Sequence, residues 1–223
     1  MGSAETLQYW NYNIPEDERT DQCPDFLQNL SAKDVGILST PDSEFRILSW
    51  DEVRQIVQSN RLEVFKRVPS ALRRYKAFVF YLKKKHGSVA NFILNQRLGW
   101  SAPVAPRGAP FEFEDDYKIL HNDAPYGIDP RIVHLVVWTK FDLVEDPATG
   151  DLADGARQEI NDFVTTTFRA NVPDEHVMWF KNWRALQSVN AVRHFHVMLF
   201  DPDPDFIRAV TKGDVPRCGL KME

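Results

Sequence analysis

Three segments alternate in the way that predicts β-strands: His134–Phe141 (HLVVWTKF), Val177–Trp183 (VMWFKNW) and His194–Phe200 (HFHVMLF). Successive side chains on a strand point to opposite faces. One set of positions is mostly apolar and is expected to face a core: Leu135, Val137, Thr139 and Phe141, then Met178, Phe180 and Asn182, then Phe195, Val197 and Leu199. The other set holds His134, Trp138 and Lys140, then Trp179, Lys181 and Trp183, then His194 and His196. If the three strands share one sheet, its second face becomes a floor of indole, imidazole and ammonium groups.

Helical spacing dominates the first half. Ser49 and Glu52 spell a capping box ahead of Trp50, Val53, Ile56 and Val57. Leu62, Phe65 and Val68 continue a helical stripe that Pro69 interrupts. Leu72, Tyr75, Phe78, Val79 and Leu82 form a second stripe, running into Lys83–Lys85 and stopped by Gly87. Ser88 caps a third, which ends at Gly99, and residues 101–130 read as irregular. After the first strand, Ala156, Ile160, Phe163, Val164 and Thr167 predict a helix. Asp203, Pro204 and Gly213 punctuate the last one. Residues 1–45, broken by Pro15, Pro24 and Pro41 yet carrying Tyr9, Trp10, Tyr12 and Phe26, predict an extended arm packed on a single domain over residues 46–223. The expected fold is α+β: an N-terminal helical block, then a small, mostly antiparallel sheet (β-α-β-β-α) covered on one face by helices.

Composition narrows the function classes. At 223 residues with 43% hydrophobic content the chain can bury a sizeable core. A net charge of −5 argues against binding bulk nucleic acid or an acidic membrane through charge. No apolar run has membrane-spanning length, and the N-terminus lacks the pattern of a signal peptide. Cys23 and Cys218 form neither a CxxC pair nor a disulfide framework, which suits a reducing, cytoplasmic setting with nuclear entry left open. P-loop, dinucleotide-fold, nucleophile-elbow and zincin signatures are missing.

The Trp/Lys/His face therefore carries the candidate chemistry. Indoles stack on bases and sugars, while ammonium and imidazolium groups attract phosphate. Lys140, Lys181, His194 and His196 are expected to hold phosphate, and Trp138, Trp179 or Trp183 to stack on a ring. A rigid turn at His121–Gly127 offers Asn122, Asp123 and Tyr126 to orient the ligand. Ser188 can donate a hydroxyl, and Arg97 can reach across as a clamp. His134 beside His194 and His196 gives three imidazoles, a weak signature for Zn²⁺, Fe²⁺ or Mn²⁺. No cofactor is otherwise indicated, apart from a divalent metal accompanying a nucleotide.

Four strings give the chain a family resemblance: YLKKKHGSVANFILNQRLGW (81–100), KILHNDAPYGIDPRIVHLVVWTK (118–140), WFKNWRALQSV (179–189) and HFHVMLF (194–200). Together they resemble the fungal N-acetylglucosamine-induced protein family, over roughly residues 45–212. The resemblance implies a fungal cytoplasmic protein connected with amino-sugar response or metabolism, and supplies no catalytic residues. The resulting expectation is binding of a phosphorylated small molecule. A pyrimidine nucleotide or nucleotide-sugar (CTP or a uridine nucleotide) is favoured, prompted by the amino-sugar connection. Two alternatives stand beside it: a metal-dependent sugar-phosphate hydrolase or isomerase using the histidines, and a protein–protein adaptor using residues 1–45.

Overall fold

Two eight-residue strands, β2 (Ile132–Thr139) and β4 (Arg193–Phe200), pair antiparallel at the centre of the molecule. The computed structural model describes residues 7–183, 189 and 191–218. A shorter strand, β1 (Tyr117–His121), flanks β2, and β3 (Val177–Phe180) flanks β4. The sheet order is β1-β2-β4-β3, antiparallel throughout. With the helices mostly N-terminal, the fold is α+β.

On one face, Leu135, Val137, Phe195, Val197 and Leu199 pack against α5 (Asp154–Val164) and α6 (Pro204–Val210) through Ile160, Phe163, Val164 and Ile207. These are the core positions that the alternation on β2 and β4 predicts. The other face is covered as well. Trp50, Val53 and Ile56 of α2 (Trp50–Gln58) lie over Ile132, Met178, Phe180 and Met198. Helix α4 (Val89–Phe92) and the π-helical turn Ile93–Leu98 that continues it lie over Leu120, Val136 and Trp138. The N-terminal helices thus sit on the sheet as a second layer, and the face they cover carries Ile132, Val136, Trp138 and Met198 beside the histidines.

Residues ahead of α2 pack on α3 (Pro69–His86). Leu27, together with Ile37 and Leu38 of α1 (Ala32–Leu38), meets Leu72, with Tyr9, Trp10, Phe26 and Tyr75 around them. Pro69 begins α3 rather than breaking a helix: at the first helical position its missing N–H costs nothing. The stripe ahead of it is a 3₁₀ turn, Leu62–Val64, followed by extended chain. Strand β1 falls where the sequence reads as irregular; YKILH is too short and mixed for its period to show.

The Ser49–Glu52 capping box is present with both of its hydrogen bonds. It satisfies donors at the end of the helix that roofs Met178 and Phe180. Ser49→Ala is expected to lower stability by about 1 kcal/mol in a urea titration; an unchanged midpoint would show the cap to be dispensable.

Candidate functional site

On the helix-roofed face, β2 and β4 bring three histidines together. His134, His194 and His196 are 4–6% exposed. His196 stands opposite Val136, and His194 opposite Trp138. His134 Nε2 lies 3.0 Å from His196 Nδ1, and His196 Nε2 lies 3.1 Å from Asn182 Nδ2. With the amide N–H donating to His196 Nε2, that ring carries its proton on Nδ1 and donates a hydrogen bond to His134 Nε2. Asn122 Nδ2 is 3.3 Å from both nitrogens of His134. A donor equidistant from both nitrogens at that range sits over the ring face, a weak N–H···π contact. The Asn122 side-chain oxygen accepts from Ala124 N, which sets the amide's orientation.

His194 differs from the other two. Its Nδ1 donates to Val192 O at 2.9 Å, leaving Nε2 as an acceptor with no partner among the described residues. Its ring leans on Trp138, centroids 4.5 Å apart.

A cavity of about 100 Å³ opens above these groups. One water needs roughly 10–15 Å³ by this measure, so the space suits a small molecule. The floor is Val136, Trp138, His194 and His196; the roof is Tyr75, Phe78 and Leu82 of α3 with Phe92 and Ile93. Arg67, Arg97, Asn122, Asp123 and Tyr126 line its polar side. His134 lies behind, bonded to Asn122 and His196.

Burial sets the charge state of this floor. It holds His134 down to about 3, with the Arg67 guanidinium adding to the effect. Burial likewise pushes His196 well below the ordinary imidazole value and lowers His194. All three rings are neutral near pH 7 and act as hydrogen-bonding groups, not cations. The Arg97 side chain is 3% exposed and its charge is spent: Nη1 meets Asp214 at 2.5 Å and Nη2 meets Asp123 at 3.0 Å. Burial raises Asp123, and Arg97 opposes it. Asp214 also accepts from His121 N, and Asp123 from Arg217 N, fastening the chain after α6 to the end of β1.

The cavity therefore unites His194, His196, Trp138, Asn122, Asp123, Tyr126 and Arg97, with His134 in support. Four other expected site residues lie elsewhere. The parity of β3 is the reverse of the predicted one: Trp179 pairs with Val197 and packs on the α5 side, where Nε1 donates to Asn161. Phe180 instead faces His196, with Asn182 near it. Both sets of VMWFKNW are apolar enough to be buried, so alternation alone cannot choose between them. Lys181 pairs with Glu145 at 2.5 Å, and Trp183 lies on the surface bonded to Asn60. Lys140 lies 3.6 Å from Asp116, whose side chain is fully buried, and leans on Trp100. Ser188 lies outside the described residues.

Sequence reasoning passed over Arg67, Asn182 and Asp214. Tyr75 and Phe78 were legible only as a helical stripe, with no sign that part of it faces a cavity. Among the described residues no group of three or more His, Cys, Asp or Glu is arranged to hold a metal. The His134–His196 bond occupies nitrogens that a metal would need. Among them, too, no helix is long and apolar enough to cross a membrane.

Fold and site together define a two-sided α+β domain with a neutral, imidazole-floored pocket. The chain belongs to the family described as protein of unknown function (DUF3605), which matches residues 49–200. It is 29% identical to N-acetylglucosamine-induced protein 1 of Candida albicans over 185 residues, 74% of this chain and 73% of that protein. It is 31% identical to the Saccharomyces cerevisiae protein YPL067C over 172 residues, 74% of this chain and 85% of that one. The crystal structure of HTC1 superposes with a TM-score of 0.58 at 28% identity, covering 74% of this chain and 94% of that chain. The resemblance drawn from the four sequence strings is thus to the right family.

Proposed function

We propose that the chain binds a small, hydroxyl-bearing ligand of the amino-sugar class in the pocket between α3 and the β2–β4 floor. The carrying observation is His194 Nε2, an acceptor without a partner among the described residues, beside the face of Trp138 in a cavity with apolar walls. Sugars present hydroxyl donors along an edge and C–H groups on a face, which suits an imidazole acceptor next to an indole. The similarity to a Candida protein named for induction by N-acetylglucosamine supports that class. A pyrimidine nucleotide has less support, since Lys140 and Lys181 are paired with carboxylates and do not line the pocket, and the histidines are neutral. The adaptor reading has less as well, because Tyr9, Trp10 and Phe26 pack against the α1–α3 cluster. Two free cysteines fit a cytoplasmic setting.

A second reading, proton transfer on the bound sugar as in an isomerase, would use His194 Nε2, the acceptor in the cavity floor with no partner among the described residues. One screen addresses binding: thermal shift with N-acetylglucosamine, its 6-phosphate, UDP-N-acetylglucosamine and CTP. A true ligand at about a hundred times Kd stabilises by about 2.7 kcal/mol, a shift of several degrees. His194→Phe should remove that shift while preserving the ligand-free melting point to within a few degrees. A flat screen sinks the proposal, and a shift confined to CTP would favour the nucleotide. Absence of solvent deuterium exchange into the bound sugar would count against proton transfer.

A further inference from the structure

Arg67 is the one pocket cation whose charge the described residues leave unmatched. Its neighbour in the cavity wall, Arg97, is clasped by two carboxylates. Arg67 has no carboxylate within ion-pairing distance among the described residues, and only its Nε is bonded, to Ala124 O at 2.9 Å. The guanidinium lies over the Tyr75 ring, 4.1 Å from its centroid, and 5.5 Å from that of Tyr126. Tyr126 is in turn stacked on Phe65, and Gly127 N donates to Lys66 O. The fork is thus fixed in position by its backbone bond and two aromatic rings, with neither terminal nitrogen bonded among the described residues. A rigid, planar fork of this kind matches a carboxylate or phosphate through two parallel hydrogen bonds. Its field already reaches the floor, where it disfavours protonation of His134 and His196.

Resting on the pocket reading above, we infer that Arg67 is the anion-reading residue of this site, and that the preferred ligand carries one phosphate monoester or carboxylate beside its hydroxyl-bearing ring. This division of labour differs from a charged sheet floor. The neutral imidazoles and Trp138 take the ring, and a single guanidinium on the polar side of the cavity takes the anion. One unmatched cation, with Arg97 neutralised, suits a singly substituted ligand better than a triphosphate.

The test titrates N-acetylglucosamine, its 6-phosphate and its 6-carboxylate into the full chain and into Arg67→Met and Arg67→Lys, by calorimetry. Methionine keeps the stem over Tyr75 without charge; lysine keeps the charge without the fork. The wild-type chain should bind one of the two anions at least about tenfold tighter than the neutral sugar. Arg67→Met should erase that preference and leave neutral-sugar affinity within about threefold, with Arg67→Lys in between. The 6-phosphate and 6-carboxylate arms identify which anion is read. Equal affinity for neutral and anionic sugars, or a preference that survives in Arg67→Met, overturns the role of Arg67 while leaving the pocket reading in place. Binding of none of the three overturns both. Melting curves of each variant check that it is folded, and Arg67→Lys carries the comparison if methionine prevents folding.

Discussion

Arg97→Met is expected to destabilise the protein by about 3–5 kcal/mol, among the largest effects of any single polar substitution in the chain. The guanidinium is 3% exposed and stands between Asp214 and Asp123, at 8% and 15% side-chain exposure. Removing it leaves two largely buried carboxylates facing each other, and burial already works against the charge on Asp123. The loss is mostly the cost of these stranded charges rather than the net worth of the pairs. It also loosens the clasp between β1 and the chain after α6, where Asp214 accepts from His121 N. Urea unfolding should show the full loss, and the melting temperature should fall by roughly 10 °C. Adding Asp123→Asn and Asp214→Asn to Arg97→Met should recover a good part of it, because the amides carry no charge. A drop below about 1 kcal/mol would mean that the three groups are far more hydrated than their burial implies.

The second large effect is acid destabilisation beginning near neutrality. His134 titrates at about 3 in the folded protein against 6.5 as a free side chain. As pH falls through 6.5 the unfolded chain takes up a proton that the folded chain refuses, so stability drops. It falls by about 1.4 kcal/mol per pH unit for this residue until the folded ring titrates, amounting to about 2 kcal/mol near pH 5. His196 and His194 are shifted in the same direction by burial, and their losses add to it. Asp123, whose carboxyl is raised, works the opposite way and returns some stability at lower pH. Denaturant titrations between about pH 7.5 and pH 5 should therefore show a steep slope, reduced by about one proton's worth in His134→Gln. A flat profile over that interval would mean that the rings are protonated inside the fold, returning them to the cationic role expected from sequence. Ligand binding that buries His194 further should deepen the slope.

Much of the sheet was legible because β2 and β4 segregate cleanly: Leu135 and Val137, or Phe195, Val197 and Leu199, against histidines. That contrast placed His134, His194 and His196 on one face and brought Trp138 with them. The turn at Asn122–Tyr126 was also legible, because Asn, Pro and Gly mark a rigid strand entrance. On β3 the same reasoning inverted the faces. Trp179 satisfies its indole N–H with Asn161 of α5, a partner that no local pattern announces. Lys140 read as a phosphate ligand because nothing local reveals the fully buried Asp116 that it serves.

Sequence by itself determined the fold class, the two central strands and the face of each strand that carries imidazoles, since these follow from periodicity along the chain; the pairing of β2 with β4 is what gathers them. Tertiary structure alone decided what those imidazoles are. Roofing by α2, α3 and α4 buries the rings, and burial makes neutral hydrogen-bonding groups of side chains that would otherwise carry charge in mildly acidic solution. It also decided which cations are spent and which are free, because Arg97, Lys140 and Lys181 find carboxylates 26, 24 and 36 residues away, among others, and Arg67 finds none among the described residues. Charge pairing over such separations is a property of the packed chain, and no stretch of sequence contains it.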